Sequence, residues 1–170
     1  QIKNIRLDIN CKLIRGNVDT RIKKLSEGLY DAIILSYAGV KFLKLNEKIS
    51  EIFSVQDIIQ SAGQGIIALQ CRQNDNNIIS ILKKINHKET YQRAQAERNV
   101  LKILEGDCDT AVGAHAFIEG NQIVLQAELF SLDGSQRYYE KKFSKIDNAK
   151  ELGKVVGQIL KMKSNNSYKK

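Results

Sequence analysis

The stretch AVGAHAFIEGNQIVLQAELFSLDGSQRYYEKKF, residues 111–143, decides the fold of the C-terminal half. It holds three strand-like runs, Ala111 to Ile118, Gln122 to Ser131 and Gln136 to Phe143. EGN (119–121) and DGS (133–135) separate them, and short connections containing glycine are hairpin signals. Two hairpins in series predict a three-stranded antiparallel sheet. Helical patterns flank it. Thr90 to Leu104, rich in Ala, Arg, Glu and Leu, precedes the sheet. Asp147 opens a final helix with Leu152, Val155, Val156, Ile159 and Leu160 on one face. The ending SNNSYKK is polar and is expected to fray. This half therefore reads as a small α+β domain.

The half before it alternates between strand and helix signals. A strand pattern fills Asn4 to Ile14 and ends at Arg15-Gly16. Asn17 then caps a helix whose inward stripe is Ile22 and Leu25, and Gly28 stops it. The continuous apolar run Ala32 to Leu35 fits a strand buried on both faces, as in a parallel sheet. A short helix is expected around Val40 to Leu43. The run SAGQG (61–65) breaks the pattern, and Gly63 and Gly65 permit close backbone approach or unusual dihedrals. Ile66 to Cys71 reads as another strand and Asp75 to Ile85 as a helix. These pieces predict an α/β segment of βαβ type. The boundary with the α+β domain falls near residues 84 to 88, and no internal repeat is visible.

The bulk properties narrow the function. With 170 residues and 42% hydrophobic content, the chain can bury a core. Its apolar runs are far shorter than a membrane span, so no membrane association is expected. It opens without an initiator Met and without a signal peptide, and is expected to be a fragment or a processed product. Cys11, Cys71 and Cys108 are odd in number and far apart, which fits neither a disulfide framework nor a metal pair. His87 and His115 lack ligand spacing with them, so no metal is expected. A reducing cytoplasm is the expected compartment. Cys11 and Cys71 lie in strand patterns and are expected in the core. A net charge of +8 suits polyanions, although a lysine-rich solvated surface accounts for the charge as a whole better than a dedicated site does. Only 6% of residues are aromatic and no nucleic-acid motif appears, so nucleic-acid binding is not expected.

Two places could carry chemistry. Arg15 sits where a strand pattern meets a helix start, with Gly16, Asn17 and Thr20 around it and Arg21 one turn on. Free amides and the helix dipole favour an anion there, and paired guanidiniums could address one carboxylate or phosphate. An ordinary capped helix with exposed arginines fits the same residues. Cys108 lies in LEGDC, in a loop after a helix. Its neighbours Glu105, Asp107 and Asp109 disfavour a thiolate, so it is poorly suited to protease-like attack. A thiol held in a stable thioether needs no low pKa.

The order of these pieces is informative. RGNVDTRIKKL (15–25), YDAIILSYAGV (30–40), AGQGIIALQCR (62–72), AERNVLKILEGDC (96–108) and LDGSQ (132–136) occur in one series. That series closely resembles the porphobilinogen deaminases (hydroxymethylbilane synthases) of tetrapyrrole and haem biosynthesis, over essentially the whole chain. The resemblance implies a transferase that joins porphobilinogen units into hydroxymethylbilane and releases ammonia. It implies three domains, two of them like periplasmic binding proteins with a cleft between. Residues 1–65 would be the remainder of domain two, forming a cleft wall. Residues 66–83 would return through domain one, and 84–170 would be the cofactor-attachment domain. Cys108 would carry a dipyrromethane cofactor through a thioether. Arg15 and Arg21, with Gly16, Asn17 and Thr20, would hold its carboxylates or those of the growing polypyrrole. Gly63 and Gly65 would be hinge residues. The catalytic aspartate would lie in a preceding domain, so no catalytic residue is assigned in this chain.

The chain also departs from the family pattern. Phe42 stands where arginine is usual, Asp107 where glycine precedes the cysteine, and Gln60 where proline is common. The implied partners are porphobilinogen, the growing chain and a separately encoded N-terminal half, with the chain otherwise monomeric. The alternative is an inactive remnant that binds anionic ligands or a partner chain.

Overall fold

A computed structural model of the protein describes residues 1–106 and 110–169. They fall into two compact units, Gln1–Ile58 and Ile59–Lys170.

The first unit holds three short helices, α1 (Ile2–Ile5), α2 (Val18–Ser26) and α3 (Tyr37–Phe42), and a 3-10 turn at Asn46–Lys48. The α2 boundaries follow the sequence signals. Asn17 stands at the N-cap in extended conformation, and Gly28 has φ +75°, the left-handed geometry that ends helices. Ile22 and Leu25 are half-buried. Val40 on α3 is 5% exposed, and no other described residue of this unit is buried.

The strand expectations are corrected here. Asn4 to Ile14 begins in α1 and continues without regular structure, and Ala32 to Leu35 forms no strand. In the second unit Ile66 to Cys71 is likewise irregular, with Ile67 89% exposed. Apolar composition makes a segment suitable for a sheet. A strand exists only when a neighbour takes up its N–H and C=O groups, and no described segment does so for these three runs. Cys11 is exposed and Cys71 half-buried, so neither is a core residue.

The second unit contains α4 (Asn76–Ile85), α5 (Lys88–Leu104), β1 (Val112–Glu119), β2 (Gln122–Phe130), β3 (Arg137–Lys145) and α6 (Ala149–Ser164). The sheet is antiparallel in the order β1-β2-β3, as the hairpin signals predict. Its register places His115 opposite Gln126 and Gln126 opposite Lys141. Alternation along the pleat sends Ile123, Leu125, Ala127 and Leu129 to one face. There they meet Ala96, Val100 and Leu104 of α5 and Ala149, Leu152, Val156 and Leu160 of α6. The helical residues recur every three or four positions, which is the spacing of one helix face. Val155 remains 37% exposed, so the stripe of α6 is narrower than its sequence suggests.

The C-terminal tail does not fray. Tyr168 is 3% exposed and belongs to the core cluster, and the Leu132 N–H donates to the Ser167 carbonyl at 3.0 Å. One aromatic ring in a polar heptapeptide is enough to dock it, because a single buried tyrosine contributes a large apolar area.

Candidate functional site

The residues singled out in the sequence fall in three places. The first is the start of α2. Gly16 has φ +123°, and its carbonyl accepts from Arg21 Nε at 2.7 Å. The Arg15 carbonyl accepts from Lys24 Nζ at 3.0 Å. The turn thus folds back along the helix and gathers Arg15, Arg21 and Lys24 at one end. Thr20 packs beside Gly16, where an added Cβ would meet its Cγ2 at 2.9 Å. Asn17 makes no side-chain cap bond. The ion pairs of this unit are Arg6–Asp8 and Lys23–Glu27, so Arg15 and Arg21 have no carboxylate partner among the described residues. Arg15 and Arg21 at the helix start, with the Lys24 ammonium reaching back from the last turn, suit a ligand bearing carboxylates. Phe42 is 85% exposed.

The second place is the glycine-rich run. Residues 59–63 lie along the outer edge of β1 as a strap. The Ala114 N–H donates to the Gln60 carbonyl at 2.9 Å, and Gln60 Nε2 lies 3.1 Å from His115 Nδ1. Gly113 lets the strap come close, since a Cβ there would stand 2.5 Å from the Ile59 carbonyl oxygen. Gly63 (φ +76°) and Gly65 (φ +78°) adopt left-handed dihedrals in open space, so backbone shape alone calls for glycine there. The Gly63 N–H donates to Glu97 Oε2 at 2.7 Å, and the Ala116 N–H donates to Glu97 Oε1 at 2.8 Å. Arg93, one turn back on α5, donates from Nε to the Ala116 carbonyl at 2.6 Å. Burial pushes the Glu97 carboxyl above its ordinary range, while the two N–H donors and Arg93 act against that shift. Burial also holds His115 below its ordinary value, with the charge on Arg93 adding to the effect.

The third place is the end of α5. Cys108, with Asp107, lies outside the described residues. The helix leading to them closes at Glu105, which takes the left-handed conformation (φ 53°). Its carboxylate pairs with Lys161 at 3.6 Å and with Lys169. The Lys169 bond, aided by Lys161, lowers the Glu105 pKa. A cavity of about 490 Å³ adjoins this helix end, with Arg98, Lys102 and Lys150 among its lining residues.

Sequence reasoning missed Glu97, Arg93 and Tyr168. Glu97 had a readable signal. It shares the stripe Glu97, Val100, Leu104, where a charge among apolar residues must be satisfied if buried.

Comparison with known proteins adds independent information. Residues 1–80 match the family model for porphobilinogen deaminase, dipyromethane cofactor binding domain. Residues 91–162 match porphobilinogen deaminase, C-terminal domain. Proteins named porphobilinogen deaminase from three organisms align over nearly all of this chain. That of Blochmanniella pennsylvanica is 40% identical over 163 residues, covering 96% of this chain and 54% of its own length. That of Desulforamulus reducens is 37% identical over 160 residues, covering 94% and 52%. That of Coxiella burnetii is 39% identical over 161 residues, also covering 94% and 52%. The chain spans about half the length of the curated relatives it matches.

Proposed function

The chain belongs to the porphobilinogen deaminase family, and from that premise we propose that it is the cofactor-bearing portion of a hydroxymethylbilane synthase. Such an enzyme joins porphobilinogen units head to tail and releases ammonia. One observation carries the reading: two successive models of a single family match in order along the chain, with full-length relatives at about 40% identity.

On this reading Cys108 anchors dipyrromethane through its sulfur, and the group supplies the free pyrrole position that is extended. Arg15 and Arg21 bind and orient carboxylates. Their placement supports this, because both stand at the start of α2 without a carboxylate partner among the described residues. Gly63 and Gly65 act as a hinge. Residues 1–65 form a cleft wall like that of periplasmic binding proteins, 66–83 return through the first domain, and 84–170 hold the cofactor. The apolar runs that lack ladder partners here would pair with strands from the rest of the enzyme. The catalytic aspartate belongs to that remainder, so turnover requires it. The protein acts in the cytoplasm, as a monomer apart from that remainder, and without nucleic acid or membrane. No described helix is long and apolar enough to cross a membrane.

The test is intact mass. Co-expression with an N-terminal half in a host supplied with porphobilinogen should add a dipyrrole, and Cys108→Ser should abolish the addition. An unmodified mass under those conditions overturns the cofactor assignment. It would favour the alternative of an inactive remnant that binds anions or a partner chain, which the departures at Phe42 and Asp107 suggest.

A further inference from the structure

We propose that Glu97 is a positioning residue that latches the Ile59–Gly65 strap to the helix leading to Cys108. The inference rests on the reading above only for the role of Cys108. The latch itself stands on geometry.

β1 is an edge strand, and its outer N–H and C=O groups must find partners or remain exposed. Three devices meet that need. The Gln60 carbonyl takes the Ala114 N–H, the Glu97 carboxylate takes the Ala116 N–H, and Arg93 covers the Ala116 carbonyl. The Gln60 carbonyl ties the strap to β1 directly, and Glu97 ties it to α5 as well. Its second oxygen takes the N–H of Gly63, one of the two left-handed glycines. One side chain, 1% exposed, thereby joins a helix, a sheet edge and a tight turn 34 residues away in sequence.

The geometry leaves little freedom. A carboxylate accepts in the plane of its two oxygens, so both N–H groups must approach from fixed directions. If Glu97 lets go, the buried Ala116 N–H and the half-buried Gly63 N–H lose their acceptor together, and the Gly63 turn is no longer held by this side chain. Glu97 lies on the same helix as Leu104, the last residue before the Glu105 turn and the Cys108 segment. The strap's turn is therefore referred to the helix that precedes Cys108 in the chain. If Gly63 and Gly65 form a hinge, Glu97 sets where it is anchored.

The charged surroundings are simple. Arg93 on α5 is the cation that acts on Glu97, β1 contributes the titratable side chains His115 and, at its far end, Glu119, and residues 59–65 carry no charge.

Nuclear magnetic resonance on the whole chain tests the latch without relying on activity. In the unaltered protein, the Glu97 carboxyl carbon and the amide protons of Gly63 and Ala116 should titrate together, with the Leu125 amide unmoved. A Gly63 amide that ignores the Glu97 titration overturns the proposal. In Glu97→Gln, one acceptor oxygen becomes an N–H₂ donor. Amide exchange at Gly63 or Ala116 should rise about tenfold or more relative to Leu125. Unchanged exchange at both amides, or an equal rise at Leu125, overturns the positioning role. If Glu97→Gln does not fold, the titration of the unaltered protein decides. Dipyrrole loading is a separate measurement, so loss of the cofactor assignment would leave the latch standing, and the reverse.

Discussion

Tyr168 donates its hydroxyl proton to the carbonyl oxygen of Leu104 at 3.0 Å, across 64 residues of sequence. The bond falls on the last turn of α5, where helix carbonyls lack internal partners. The tail is thus a cap for the helix that precedes Cys108 in the chain. Tyr168→Phe keeps the buried ring and removes the bond. The expected cost is about 1 kcal/mol, read as a fall of roughly 2–4 °C in thermal denaturation. A variant that melts with the parent would mean the tail does not cap α5 in solution.

What the sequence reveals depends on where each element finds its partners. The sheet was legible because hairpin strands pair with their neighbours in sequence, through EGN and DGS. α2 was legible because Asn17 and Gly28 are local signals. The runs 4–14, 32–35 and 66–71 gave apolar composition without a nearby partner, and composition cannot supply a ladder. Cys11 shows the same failure, since its placement in a core depended on a strand that does not form. Tyr168 and Glu97 were missed for another reason. Their bonds reach 64, 34 and 19 residues along the chain; the apolar stripe around Glu97 signals its burial, but no local pattern encodes partners at such distances. At the start of α2 the cationic cluster was legible, because one helical turn brings Arg21 back to the Arg15-Gly16 turn.

Gly153 illustrates a contest of two effects. Alanine in a helix interior is usually favoured over glycine by about 0.5–1 kcal/mol. Here an added Cβ would lie 2.2 Å from the Ala96 carbonyl oxygen and 2.9 Å from Asn99 Cβ. Neither atom is the end of a flexible side chain, so α5 and α6 would have to separate. Overpacking of this kind costs about 1–3 kcal/mol. The clash should win, and Gly153→Ala should lower the denaturant midpoint. A rise in the midpoint would show that the helices are not so close.

Asp133 gives a pH prediction. Its carboxylate accepts from Ser131 Oγ at 2.5 Å, the Ser135 N–H at 3.0 Å and Ser135 Oγ at 2.8 Å. These bonds, the Ser131 hydroxyl first, hold its pKa down to about 2. A depressed carboxylate stabilises the fold above its unfolded pKa, near 3.8, and that contribution is lost as pH falls toward 2. Acid unfolding followed by circular dichroism should therefore be less steep between those values in Asp133→Asn. Identical acid limbs would show that the DGS turn does not hold this carboxylate.

The start of α2 supplies the sharpest test of ligand recognition. Arg21 uses Nε on the Gly16 carbonyl, which fixes the guanidinium while leaving its terminal nitrogens to a ligand. No residue of α2 is fully buried, so changing Arg21 should not unfold the helix. Arg21→Gln removes the charge and should weaken binding of a carboxylate-bearing pyrrole about tenfold or more, as loss of a charge-assisted bond implies. Arg21→Lys keeps the charge but cannot reproduce the planar fork, and should fall between the two. Calorimetric titration with porphobilinogen, the ligand of the proposed function, on the chain co-expressed with the N-terminal half of a relative, measures both variants against the parent. Equal affinities for parent and Arg21→Gln would remove Arg21 from the recognition of the ligand. A loss that Arg21→Lys shares in full would point to fork geometry, with charge secondary.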